Sequence, residues 1–356
     1  MAIYDEVHYY GQSPLQYLLG FYPTMKPAPT GNAALPVFIC LNAAGFSSYI
    51  GMAEKLASKA NQLTNWGPAF IINYQSTVAP GATLTLTDTA GTVVPPSPAF
   101  PAQIDDVVSG VLWILKHVAG SPYYGDTNSI HLVGGSAGGT LVALASARLS
   151  EIGIRVASCH TLSSNTDWYS TIQFYVDLGM GNNGLTADAA TASNHLNNIA
   201  NNYGVASGWS QYQTGGYNNS NSAFQYTLLW HTMYQTALTN GLVTGNEALD
   251  NVTRFYNWNS NYWSPGFFSQ FSPAQRCANK SNKCWYHIIA NILDIEIPIE
   301  QAYVFLDALT NVGTMATVNA LCLTGTSGTP PHAYDYWDTA GQLARSIANF
   351  ALASAK

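Results

Sequence analysis

The sequence predicts an α/β protein with a mostly parallel central sheet, helices on both faces and one aromatic-rich cap insertion. Three observations carry this expectation. Short, nearly continuous apolar runs recur along the chain, and amphipathic helical stripes lie between them. The alternation breaks once, from Asn165 to Phe271. A parallel sheet is buried on both faces, so its strands read as unbroken apolar runs rather than as alternating ones.

Six runs are candidate strands: Pro36 to Leu41, Ala69 to Tyr74, Ser129 to Gly134, Val156 to Leu162, Trp285 to Leu293 and Asn319 to Thr324. Val7 to Tyr22 reads as an antiparallel hairpin suited to the sheet edge. Gln103 to Val118 places Ile104, Val107, Val108, Val111, Leu112 and Leu115 at the i, i+3, i+4 spacing of one helix face. Ala137 to Leu149 is small and apolar, as a buried helix should be, and Ile299 to Leu309 and Thr339 to Leu352 complete the helical set. The expected organisation is a core of residues 1–164 and 272–356 with a cap subdomain over 165–271. Phe, Tyr and Trp supply 20 of the 107 cap residues, a density that argues for a folded segment.

Composition excludes several functions. Charged residues make up 9% of the chain against roughly 25% in an average globular protein, so Asn, Gln, Ser, Thr and Tyr must dress the surface. The net charge is −7 and no Lys/Arg run occurs, which removes the basic footprint that nucleic-acid binding needs. No apolar stretch has the length of a membrane span. Met1 to Glu6 lacks the character of a signal peptide, so either the chain is not secreted or it is a mature form with an added Met. Cysteine usage favours the second alternative: Cys277 and Cys284 bracket a short polar segment suited to a small disulfide loop, whence an extracellular protein is expected. Cys40, Cys159 and Cys322 lie in apolar runs as core thiols.

The chemistry concentrates in Ile130-His131-Leu132-Val133-Gly134-Gly135-Ser136-Ala137-Gly138-Gly139, an apolar strand, a Gly-x-Ser-x-Gly turn and a helix start. Such a turn lifts the Ser136 hydroxyl above the sheet and aims the first helical amide, that of Ala137, at a developing oxyanion. A serine nucleophile needs a base, and the base needs an orienting carboxylate. Of eight histidines, His332 alone follows the last strand, in the loop before the final helix. Asp294 closes the strand that begins at Trp285; an Asp there would equally serve as a helix N-cap. Glu296, Asp335 and Asp338 are its rivals nearby. Asp105 and Asp106 read as structural carboxylates in a helix first turn. No glycine-rich phosphate loop or metal-ligand cluster is present, so no metal and no cofactor are expected.

These motifs, taken in order, resemble the α/β-hydrolase superfamily, specifically its esterase/lipase branch with hormone-sensitive-lipase-like and feruloyl- or acetyl-esterase-like enzymes. The matching segments are Pro36 to Phe46, Ile72-Asn73-Tyr74, Phe100-Pro101 through Asp106-Val107, Gly134 through Gly139, and Pro298 through Gln301. The resemblance implies the α/β-hydrolase fold and oxyanion donors at the amides of Ala44, Gly45 and Ala137. It departs where the family's His-Gly-Gly-Gly becomes Asn42-Ala43-Ala44-Gly45, which changes the loop but leaves its amides in place. Phe46, Gly135, Trp168 and Tyr169 are the candidate substrate contacts. The expected function is serine carboxylic-ester hydrolysis on short-acyl or aromatic, feruloyl-type esters, with polysaccharide esters or aromatic polyesters as larger targets. An amidase or peptidase on the same scaffold, or a binding protein descended from a hydrolase, is the alternative.

Overall fold

The computed structural model describes residues 4–24, 34–43, 51–75, 86–87, 93–94, 102–167, 271–279, 282–294, 297–323, 331–337 and 341–355. Eight strands form the main sheet: β1 (Glu6–Tyr9), β2 (Tyr17–Phe21), β3 (Leu35–Leu41), β4 (Ala69–Ile72), β7 (Gly125–Gly135), β8 (Ser158–Leu162), β9 (Trp285–Asn291) and β10 (Ala316–Leu321). A separate hairpin pairs β5 (Leu86–Thr87) with β6 (Val93–Val94). The sheet order is β1-β2-β4-β3-β7-β8-β9-β10. β1, β2 and β4 pair antiparallel, so the expected amino-terminal hairpin forms one edge, and every pairing from β4 to β10 is parallel.

Period-two alternation divides the core. Val37, Ile39 and Leu41 of β3 point to one face, where they pack with helices α2 (Ala102–His117), α3 (Ala137–Glu151) and α4 (Glu300–Asn311). Phe38 and Cys40 point to the other, covered by α1 (Ala57–Leu63) and α5 (Gln342–Ser354). Helix α3 is buried along nearly its whole length, as its small-residue sequence demands. Among the described residues, no helix is long and apolar enough to cross a membrane.

Three local expectations need correction. β10 runs from Ala316 to Leu321, three residues ahead of the expected start at Asn319, because this edge strand is half exposed and its polar positions mask it. In consequence Cys322 lies just past the strand and is exposed rather than in the core. Cys277 and Cys284 are separate buried thiols, not a disulfide. Their sulfurs are directed to different carbonyls, Cys277 to Ala143 at 3.2 Å and Cys284 to Trp285 at 3.5 Å. The loop between them is closed by Asn282 instead: its Nδ2 donates to the Cys277 carbonyl at 3.4 Å and to Tyr286 Oη at 2.7 Å, and its Oδ1 accepts the Cys284 amide at 3.1 Å. Burial pushes the Cys277 thiol up to about 12.

Where the insertion leaves and rejoins the core, the chain is tightly fastened. Gln301 Oε1 accepts the amides of Thr166 at 2.9 Å and Asp167 at 2.7 Å, and the Ala274 amide donates to the Thr166 carbonyl at 2.8 Å. Thr140 Oγ1 adds a bond to the Asn165 carbonyl at 2.6 Å. The expected cap subdomain, apart from residues 165–167 and 271, lies outside the described residues.

Candidate active site

Ser136 sits between β7 and α3 with φ 50° and ψ −125°, a left-handed backbone uncommon outside glycine. Its amide donates to the Leu162 carbonyl of β8 at 2.8 Å, which anchors the turn to the neighbouring strand. The glycines around it answer to close approach. A Cβ on Gly134 would run into the backbone of Gly138, and one on Gly138 into the carbonyl of Asn42. Ala137 opens α3, so its N–H has no acceptor within the helix.

Asp294 follows β9 and is essentially inaccessible. His332 lies in the loop after β10, its backbone extended, and its Nδ1 donates to Asp294 Oδ2 at 2.7 Å. The second carboxylate oxygen accepts the Ile297 amide at 3.1 Å. The carboxyl group therefore works as a hydrogen-bonded partner of the imidazole rather than only as a helix cap. Asp335, a rival in the sequence, is exposed and accepts the His332 amide at 3.4 Å.

The His332 loop is tied to the serine turn through its next residues. Gly135 is in close contact with Ala333 and Tyr334, where an added Cβ would lie 3.0 Å from the Ala333 methyl and 2.8 Å from the Tyr334 ring. Gly135 is thus explained by packing against the loop that carries His332. Asn291, the last residue of β9, braces the same region: its Nδ2 donates to the carbonyls of Leu323 at 3.0 Å and Pro331 at 3.2 Å, and its Oδ1 accepts the Leu323 amide at 3.0 Å. Tyr336 Oη donates to Asp294 Oδ2 at 2.9 Å. Asn291, Tyr334 and Tyr336 were not legible as site residues. The only trace in the sequence is the aromatic run Tyr334-Asp335-Tyr336-Trp337 directly after His332.

Ala44, Gly45, Phe46, Trp168 and Tyr169 lie outside the described residues. Asn42, the first residue of the departing loop, is described: buried, its Nδ2 donates to Asn73 Oδ1 at 3.4 Å. Asp106 is buried and structural, its carboxylate accepting Gln16 Nε2 at 2.7 Å and the Gln75 amide at 2.7 Å, and burial raises its pKa. Among the described residues, no group of three His, Cys, Asp or Glu side chains is placed to hold a metal.

The sheet order, the serine turn at the carboxyl end of a central parallel strand, and the Asp294 and His332 loops after two later strands define an α/β hydrolase fold. The comparisons agree. A family model described as alpha/beta hydrolase fold matches residues 93–203. Esterase B from Lactobacillus rhamnosis aligns over 99% of this chain and 87% of its own, with 14% identity and a TM-score of 0.51. A fungal esterase from Rhizomucor miehei aligns over 95% and 78%, with 13% identity and a TM-score of 0.51. Carboxyl esterase 2 from Tuber melanosporum aligns over 95% and 80%, with 13% identity and a TM-score of 0.50. No curated protein matches the sequence. The expected α/β-hydrolase fold is thus borne out.

Proposed function

We propose that the protein is a serine carboxylic-ester hydrolase whose nucleophile, base and acid are Ser136, His332 and Asp294. The observation that carries this reading is the 2.7 Å bond from His332 to a buried Asp294, on a loop packed against Gly135, the residue before Ser136. The Ser136 oxygen attacks the ester carbonyl carbon while its proton passes to His332 Nε2. The resulting imidazolium is stabilised by the carboxylate of Asp294. The amide of Ala137, with those of Ala44 and Gly45, holds the negative oxygen of the tetrahedral adduct. Collapse expels the alcohol, which takes the proton from His332 and leaves an acyl-Ser136 ester. Water, deprotonated by His332, then attacks that ester and restores the serine with release of the acid.

Short-acyl and feruloyl-type esters are the substrates this reading favours, because the cap sequence is rich in aromatic and amide side chains suited to stacking. Aromatic polyesters and polysaccharide esters present the same bond. The structural relatives are esterases, which supports an ester rather than an amide as the bond cleaved.

Hydrolysis of p-nitrophenyl esters of increasing acyl length, and of methyl ferulate, tests the proposal beside Ser136→Ala. The expected result is turnover by the wild type and a loss of at least ~10³-fold in Ser136→Ala. Equal inertness of two folded proteins sinks the proposal.

A further inference from the structure

We propose that Tyr336 is a positioning residue that sets both the orientation of Asp294 and the basicity of His332; this rests on the hydrolase reading above. Three groups converge on its phenolic oxygen. It donates to Asp294 Oδ2 at 2.9 Å, it receives the Asn291 amide at 3.3 Å, and the Ser163 hydroxyl lies against it. Asp294 Oδ2 is the same oxygen that His332 Nδ1 approaches at 2.7 Å. A carboxylate only accepts, so the phenol must donate to it, and the lone pairs of the phenol then take the Asn291 N–H and the Ser163 O–H. Donors therefore run in one direction, from Ser163 to Tyr336 to Asp294, and meet His332 donating from the other side.

The setting of this chain is rigid. Ser163 directly follows β8 with φ 43° and its amide donates to the Ile289 carbonyl at 2.8 Å; Ala333, at the head of the turn that carries Tyr336, has φ 49°. Positive φ at two non-glycine residues persists only where the surroundings over-determine it. Both positions flank the hydroxyl chain. The phenol is buried, and burial with the neighbouring carboxylate pushes its ionisation well up, so it remains a neutral donor.

The physical consequence concerns proton affinity. A carboxylate that already accepts a phenol proton has less charge to offer an imidazolium. Replacing the phenol with a phenyl ring returns that charge to the Asp294–His332 pair, which holds its proton more tightly, and also frees the carboxylate to rotate. Among the described residues, Asp335 is a further ionisable group near His332; it is exposed, accepts the His332 amide at 3.4 Å, and is the same in both proteins. Ser136 is likewise unchanged.

The test compares wild type, Tyr336→Phe, Ser163→Ala and Ser136→Ala on p-nitrophenyl acetate from about pH 5 to 9. In Tyr336→Phe the expected kcat is ~10–100-fold lower with KM within ~2-fold. The acidic midpoint of kcat/KM moves up by ~0.5–1 pH unit. Ser163→Ala, which removes only the far donor, moves the midpoint in the same direction by less. An unmoved midpoint in an active Tyr336→Phe overturns the proposal and leaves the hydrolase reading standing. If wild type is as inert as Ser136→Ala, the hydrolase reading fails and takes this proposal with it. Should Tyr336→Phe not fold, the Ser163→Ala midpoint decides by itself.

Discussion

The hydroxyl of Tyr334 donates to the carbonyl of Leu41 at 2.7 Å, and lies 3.2 Å from the carbonyl of Val133. A residue two places after His332 thus bonds the last residue of β3, which leads to the Asn42 loop, and also reaches the strand that ends in the serine turn. Tyr334→Phe keeps the ring and leaves two buried carbonyls short of a donor. The expected cost is ~1–3 kcal/mol of stability, read by urea denaturation, with a fall in kcat beyond what the lost stability explains.

Gly135→Ala probes the same junction from the other side. The new methyl must displace Ala333 and Tyr334, and with them His332. Misplacing a base by about 1 Å costs on the order of 10² in rate. Steady-state kinetics should give a kcat at least ~10-fold lower while circular dichroism remains that of the wild type.

Acid should weaken the fold through a histidine chain unconnected to the site. Ser129 Oγ meets His131 Nε2 at 2.8 Å, His131 Nδ1 meets Ser158 Oγ at 2.8 Å, and Ser158 Oγ meets His160 Nε2 at 2.8 Å. His160 Nδ1 then lies 3.1 Å from His287 Nδ1, and His287 Nε2 lies 2.8 Å from Asn319 Nδ2. Burial lowers His131 to about 3, with Arg155 adding to the shift, and lowers His287 to about 4; burial and the two neighbouring imidazoles hold His160 well below its ordinary value. The unfolded chain binds these protons near pH ~6.5, so the stabilisation is complete above that pH and is lost as pH falls towards 4 and 3. Glu6, lowered chiefly by the Tyr123 hydroxyl, adds to the loss below its ordinary range, whereas Asp106, raised by burial, opposes it. Urea denaturation should give at least ~2 kcal/mol less stability at pH 4.5 than at pH 7. His287→Gln should flatten that slope.

Thiol counting separates free cysteines from a bridge. In the native protein a thiol reagent should titrate Cys322 rapidly and leave Cys40, Cys159, Cys277 and Cys284 protected by burial. After denaturation without reductant all five should react. A count of three would restore the disulfide.

Much of this molecule was readable before its structure, for particular reasons. Gly134 through Gly139 announces itself because strand, turn and helix each impose their own residue types on adjacent positions. β3 and β4 are legible because burial against both faces leaves them apolar along their whole length. β10 is not, because an edge strand with one wet face borrows the composition of a loop. The acid and base could be ranked by chain order, but their bond could not, since it joins loops 38 residues apart. Tyr336 and Asn291 were hidden for a related reason: a buried tyrosine or asparagine beside a carboxylate has the same local sequence as one in ordinary packing.

The fastening of Thr166 to Ala274 and Gln301 gives the long insertion a closed footing, since the points of departure and return are bonded directly to each other. Such a segment is exchangeable as a cassette. A short turn joining residue 167 to residue 271, or an insertion of different length, would meet the same attachment bonds, and the strands of the core would feel no change in chain direction. On the proposed hydrolase reading, substrate range can then diversify through what stands on that footing, at a different pace from the residues proposed to hydrolyse the ester.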